Sequence, residues 1–313
     1  VTNDFGTEGV REHCVFLDSR EQADRFHQQF LRNYLHAHTQ PEPVYEGQLH
    51  VAIVGAGATG VELAAELHDA SRQFVAYGLD RIAPERDVKI SIVEAADRIL
   101  SALPPRISAS AEAQLRRLGV QVFTGEMVSR ATHEGLYTAG GLFIPAQMKV
   151  WAAGIKAPDF LSDLDGLESN RINQLVVTET LQTSRDGNIF AFGDCAACAQ
   201  PGSDRPVPPR AQAAHQQARL LATAIANRLE GRPLPVYVYK DYGSLISLSR
   251  HSTVGNLMGK LMGSVMIEGL MARLVYNSLY KRHLVALFGL FHVIMATFAN
   301  LLRRGSSPRM KLH

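Results

Sequence analysis

The chain is poor in cysteine and close to neutral in charge, and its first residues show no export-signal pattern. Its three cysteines, Cys14, Cys195 and Cys198, are too few and too unevenly spread to staple a secreted scaffold. A reducing, cytoplasmic compartment fits better. The formal net charge is +2, so no global basic field draws the chain to nucleic acid, and basic residues matter only where they cluster. Nucleic acid is not expected as a partner. The first residues carry neither a basic n-region nor an apolar h-region. Val1 is not an initiator residue, so the natural start is expected upstream of it or to have been trimmed.

What is present is enough to fold. With 313 residues, 46% hydrophobic and 20% charged, the chain can build two globular domains with real cores. An amphipathic helix is predicted over Arg20–His36, ahead of the linker-like Gln40–Pro43 and a boundary near residue 47. From His50 the pattern reads strand, glycine-rich turn, helix to about Tyr77, strand Lys89–Val93, helix Pro105–Leu118 and strand Val120–Phe123. That alternation implies an α/β fold with a parallel sheet. Short strands fill residues 126–153. A second domain then opens, with strands Leu175–Val177 and Ile189–Phe192, a Pro/Gly loop over Pro201–Pro209 and a helix over Arg210–Leu229.

Gly55, Gly57 and Gly60 stand as G-x-G-x-x-G directly after four strand-like residues and directly before a helix. The spacing suits a tight turn, backbone approach to a pyrophosphate and close packing of helix on strand, with the helix N-terminus donating to the phosphates. Glu94 ends the next strand, where an acid accepts the ribose hydroxyls of NADH and repels the 2′-phosphate of NADPH. It stands further downstream than the usual ~20 residues, which a longer first helix and the Gly78–Asp87 loop account for. Read alone, Glu94 is also compatible with a solvated strand-end carboxylate.

Four segments occur in order: Gly55–Glu66 (G-A-G-A-T-G-V-E-L-A-A-E), Trp151–Gly154 (W-A-A-G), Ile189–Asp194 (I-F-A-F-G-D) and Ala211–Gln216 (A-Q-A-A-H-Q). Together they resemble the type II, single-subunit, non-proton-pumping NADH:quinone oxidoreductases of the two-dinucleotide-binding-domain flavoprotein superfamily. The resemblance spans essentially the whole chain. It implies two Rossmann-like domains, the NADH domain inserted in an FAD domain that is split in sequence. The family's first segment, with its own G-x-G-x-x-G for the FAD diphosphate, has no counterpart here, so roughly one domain's worth, on the order of 100 residues, is expected to be missing.

The resemblance assigns roles residue by residue. Gly193 and Asp194 match the family's flavin contact, Asp194 binding the ribityl chain, and Ala153 and Gly154 join the cofactor-binding residues. Gln212 and Gln216 match its quinone motif; four apart on a helix, their amides face one way, able to donate to a quinone carbonyl. Glu62, in what reads as the first turn after the glycines, is a candidate for organising hydride transfer or relaying protons, although the helix dipole alone also favours an acid there. Cys195 and Cys198 invite a disulfide-reductase or metal reading, but no second C-x-x-C or histidine cluster completes a tetrahedral site. No metal is needed.

From Leu257 onward the composition changes. Leu257, Met258, Leu261, Met262, Val265, Met266, Leu270, Met271, Leu274 and Val275 recur at helical spacing, with Lys260, Arg273, Lys281 and Arg282 supplying cations. This pattern predicts helices lying in a membrane interface. The apolar run Leu284–Leu302 contains His292 and Asn300 and barely reaches the ~20 residues of a span, so an interfacial helix is preferred, with a homodimer interface as the alternative.

The expected organisation is a hand-over segment (1–47), an NADH domain (48–154), the second part of the FAD domain with the quinone site (155–245) and a membrane-association region (246–313). The expected protein uses FAD and NADH, passes electrons to ubiquinone or menaquinone and sits peripherally on the cytoplasmic side of the inner membrane. Two alternatives stay open: a membrane-bound NADH-binding module without turnover, and a soluble flavoprotein disulfide reductase using Cys195 and Cys198.

Overall fold

The computed structural model describes residues 1–76, 78–79, 81–200, 206–248, 252–259 and 263–303. Its helices are α1 (Val10–His13), α2 (Arg20–Thr39), α3 (Ala58–Ala76), α4 (Pro84–Asp87), α5 (Pro105–Arg117), α6 (Ala211–Leu229), α7 (Gly269–Phe288) and α8 (Leu290–Arg303). The strands of the first half are β1 (His50–Val54), β2 (Lys89–Glu94), β3 (Gln121–Thr124), β4 (Val128–Ala131), β5 (Gly135–Thr138), β6 (Phe143–Pro145) and β7 (Met148–Trp151). Those of the second are β8 (Leu175–Val177), β9 (Ala196–Cys198), β10 (Gly243–Leu248), β11 (Ser252–Gly259) and β12 (Gly263–Glu268). Two compact units result: Gly6–Ala152 with Gly243–His313, and Val1–Phe5 with Ala153–Tyr242.

The larger unit is built on a four-stranded sheet of order β3-β2-β1-β7, parallel throughout. All five residues of β1 are buried, as befits a central strand covered on both faces, and its run of apolar residues follows from that. Helix α2 starts in a capping box, the Gln22 backbone N–H donating to Ser19 Oγ and the Ser19 N–H to Gln22 Oε1. Its apolar side, Phe26, Phe30, Tyr34 and Ala37, is buried, and the Phe30 and Tyr34 rings lie 5.5 and 5.0 Å from that of Phe74 on α3. Of the hand-over segment expected over 1–47, residues 6–47 belong to this unit and helix α2 shares its core with the nucleotide-fingerprint strands, while residues 1–5 belong to the smaller unit. The short strands expected over 126–153 form an antiparallel sheet of order β4-β5-β6 and the edge strand β7.

The smaller unit carries the parallel pair β8–β9, with a core from Leu161, Leu175, Val177, Leu181, Ala213, Leu221 and Tyr237. The strand expected over Ile189–Phe192 does not form. Phe190 makes one isolated bridge to Gln182, and the chain passes into a 3-10 turn at Gly193–Cys195. Without a strand beside it offering a continuous ladder, an apolar run has nothing to pair with beyond that bridge.

The helical spacing read from Leu257 is also corrected. Leu257 and Met258 lie in β11 and Val265 and Met266 in β12, an antiparallel hairpin added to β10 with Leu257 opposite Val265. Glycines at 255, 259 and 263 each cost a helix about 1 kcal/mol relative to alanine, whereas the ladder to β10, whose Ile246 and Leu248 enter the large core, is compatible with them. Lys260, Leu261, Met262 and residues 201–205 of the Pro/Gly loop lie outside the described residues. Leu270, Met271, Leu274 and Val275 do fall in a helix, α7. Gly289, at φ +80°, breaks the apolar run Leu284–Leu302 into α7 and α8. Among the described residues no helix is long and apolar enough to cross a membrane.

Candidate functional site

The turn after β1 is fixed by contacts that explain its residues. The Gly55 N–H donates to the Val93 carbonyl at 2.8 Å with φ at +98°, a backbone conformation that side chains disfavour. A Cβ on Gly60 would stand 2.0 Å from the Gly55 carbonyl oxygen, so only glycine lets α3 settle on the strand. Gly57 is exposed and faces open space, which is where a pyrophosphate can approach the backbone at the start of α3. Glu94 closes the arrangement: its Oε2 accepts the Ala56 N–H at 2.6 Å and its Oε1 the Ala96 N–H at 2.9 Å. The four residues expected to bind a dinucleotide, Gly55, Gly57, Gly60 and Glu94, are thereby brought together, and the donors and acceptors present fit NADH.

Glu62 is placed differently from the expectation. Helix α3 begins at Ala58 with no acid in its first turn, so Glu62 stands one turn further in, where the helix-end field has weakened. Its Oε1 instead accepts the N–H of Ser247 on β10 at 2.9 Å. Burial pushes its carboxyl above the ordinary range, the Ser247 N–H opposing this and Glu66 adding to it. A carboxyl held by a backbone N–H and made more basic by burial beside a nucleotide turn has the character of a proton-handling group.

In the smaller unit, Gly193 has φ +71° and is followed by Asp194 in the 3-10 turn. The Asp194 carboxylate is exposed and takes no hydrogen bond from any described residue, which fits an acceptor for the hydroxyls of a ribityl chain. Gly154, at φ +67°, lies under the Phe5 ring, which a Cβ there would strike. Its carbonyl accepts the Asn3 N–H at 3.3 Å.

Gln212 and Gln216 do face one way from α6, and there they meet the extended segment Lys240–Tyr242. Gln216 pairs with Lys240 on both sides, Nε2 donating to its carbonyl at 2.8 Å and Oε1 accepting its N–H at 3.0 Å. Gln212 Nε2 donates to Asp241 Oδ1 and its Oε1 accepts the Tyr242 N–H, each at 3.1 Å. Arg210 adds an ion pair to Asp241 at 3.6 Å. The residues missed in the sequence are Gln217 and Gln174, both buried. The signal for the first was available: Gln217 shares the apolar register of Ala213, Leu221 and Ala224 on α6, where a polar residue needs a partner.

The cysteine pair does not look like a redox centre. Both thiols are free, Cys195 donating to the Phe192 carbonyl and Cys198 buried near the Thr178 carbonyl. Burial pushes the Cys198 thiol up to about 11, with Glu179 adding to the shift, whereas a reactive cysteine needs its thiolate.

The comparisons with known proteins agree with this geometry. The profile of the pyridine nucleotide-disulphide oxidoreductase family matches residues 1–218. The chain is 41% identical to a type II NADH:quinone oxidoreductase of Haemophilus influenzae, over 100% of this chain and 73% of that protein. It is 35% identical to the mitochondrial external alternative NAD(P)H-ubiquinone oxidoreductase B1 of Solanum tuberosum, over 63% of this chain and 35% of that protein. The structure of NDH2 from Plasmodium falciparum in complex with NADH superposes with a TM-score of 0.79 at 20% identity, covering 94% of this chain and 74% of that one. The family match over residues 1–218 and 41% identity along the whole of this chain lead to one conclusion: the chain belongs to the pyridine nucleotide-disulphide oxidoreductases, and within them to the type II NADH:quinone oxidoreductases.

Proposed function

We propose that this protein is a flavoprotein that oxidises NADH and reduces a membrane quinone without pumping protons, NADH + H⁺ + quinone giving NAD⁺ + hydroquinone. The observation that carries the reading is the Ala56–Glu94 contact at the glycine turn, in a chain matched along its whole length by a relative of that name. Glu94 accepts the ribose hydroxyls and the start of α3 receives the pyrophosphate, which together orient the nicotinamide ring. FAD held by the smaller unit would supply the two-electron carrier between NADH and the quinone. Asp194 holds the ribityl chain, Gly193 allows close backbone approach, and Ala153 and Gly154 complete the set of cofactor-binding residues. Gln212 and Gln216 present their amides to the quinone in competition with the Lys240–Tyr242 segment, and Glu62 handles a proton.

The enzyme works from the membrane surface. Leu290, Phe291, Ile294, Met295 and Phe298 are exposed on α8, Phe291 at 75%, an apolar face that suits burial among acyl chains. We place it peripherally on the cytoplasmic side of the inner membrane, where NADH is available, and assign ubiquinone or menaquinone as acceptor. Stopped-flow mixing of the FAD-loaded enzyme tests the reading: NADH should bleach the visible flavin band and a quinone should restore it. NADH binding without bleaching would instead leave a nucleotide-binding module.

A further inference from the structure

Gln216 and Gln217 are neighbours on α6, yet they serve different segments. Gln217 is 2% exposed and its Oε1 accepts the Gly193 N–H at 2.7 Å. On the other side of the same turn, Gln174 is 5% exposed and its Nε2 donates to the Asp194 carbonyl at 3.0 Å. The Gln174 amide is itself oriented, its Oε1 accepting from Asn170 Nδ2 at 2.9 Å while the Gln174 N–H donates to Asn170 Oδ1 at 3.0 Å. The Gly193–Asp194 dipeptide is therefore held at its leading N–H and its trailing carbonyl by two buried amides. Its left-handed glycine would otherwise be free to sample other conformations. Burying a glutamine costs free energy unless its polar atoms are paired, and here the pairing is spent on the one turn that presents the Asp194 carboxylate outward.

We propose that Gln217 and Gln174 are positioning residues for the flavin: they fix the backbone of Gly193–Asp194 so that the Asp194 carboxylate meets the ribityl hydroxyls. The inference rests on the reading of Asp194 as a flavin ligand. It also makes α6 the element that carries the flavin-turn brace and the quinone-motif glutamines on successive residues.

The test uses the FAD-loaded enzyme and reads FAD affinity by fluorescence titration, together with the visible flavin spectrum. Gln217→Met keeps the volume and removes the acceptor, and should weaken FAD binding about tenfold, the scale of one buried donor left unpaired, and alter the flavin band. Gln217→Glu restores an acceptor oxygen and should recover the spectrum, and NADH affinity should be unchanged in both. Because the brace acts through Asp194, Asp194→Asn combined with Gln217→Met should bind FAD no more weakly than Asp194→Asn alone. Additive losses, or a Gln217→Met enzyme that loses thermal stability while its FAD affinity and spectrum stay intact, would overturn the positioning role. Should Asp194→Asn leave FAD affinity unchanged, the ligand reading fails and the inference with it; a weakened Asp194→Asn beside an unaltered Gln217→Met defeats the inference alone.

Discussion

The backbone N–H of Ala56 donates to Glu94 Oε2 at 2.6 Å, joining the middle of the glycine turn to the tip of the neighbouring strand. The acid proposed to read the ribose is thereby held by the loop proposed to receive the phosphates. Glu94→Gln keeps an oxygen for Ala56 but loses the charge. The preference for NADH over NADPH should narrow by about 1–3 kcal/mol, read as the ratio of the two kcat/KM values. An unchanged ratio would remove Glu94 as the ribose ligand.

For the glutamines of α6, the half-reactions separate the roles. Gln212→Ala and Gln216→Ala should slow flavin reoxidation by quinone about tenfold or more, while flavin reduction by NADH stays nearly intact. That magnitude corresponds to one lost hydrogen bond to a reacting carbonyl. Each substitution also releases part of Lys240–Tyr242, so a modest fall in melting temperature should accompany it. A slowed first half-reaction would refute the quinone assignment.

A pH effect on stability is expected from His50. Its Nε2 lies 2.6 Å from Ser91 Oγ, which donates to Gln121 Oε1 at 3.0 Å, a polar row across β1, β2 and β3. Burial pulls the imidazole down to about 4 from its ordinary 6.5. The unfolded chain binds this proton over the interval between those values and the folded one does not, so stability is fully present above about pH 6.5 and is lost as pH falls towards 4. The loss is roughly 3 kcal/mol, measurable by urea unfolding across that range. His50→Gln should flatten the slope there; a slope that persists unchanged would point to other groups.

Membrane attachment should respond to charge on α8. Phe291→Glu with Phe298→Glu places two carboxylates on its exposed face and should move the enzyme into the soluble fraction, abolishing reduction of long-tailed quinones while water-soluble acceptors still react. The hairpin β11–β12 must be kept in such experiments, since it pairs with a core strand. A change from dimer to monomer in detergent with vesicle binding unaltered would assign the face to a second copy instead.

How much could be read in the sequence depended on how far apart the determining residues stand. The β1 strand, the Gly55–Gly60 turn and the start of α3 lie within about a dozen residues, so dihedral demands, hydrogen bonding and helix packing were all local and visible in the spacing. Glu94 was legible too, because a strand-end acid follows from the same unit. Gln212 and Gln216 could be placed on one helix face by their separation of four, but not the Lys240–Tyr242 segment they grip. The partner of Glu62 is Ser247, 185 residues away, and no local pattern announces it. Leu257, Met258, Val265 and Met266 carried a helical spacing that the fold overrode, because pairing of β11 with β10 and with β12 supplies backbone partners. Ile189–Phe192 failed in the opposite way, an apolar run left with a single bridge. Sequence alone thus determined the nucleotide turn and the order of the motifs, since these are set by short-range backbone geometry. Only the tertiary structure decided which amides brace Asp194 and which segments became strands, since burial and ladder pairing are settled by residues far away in the chain.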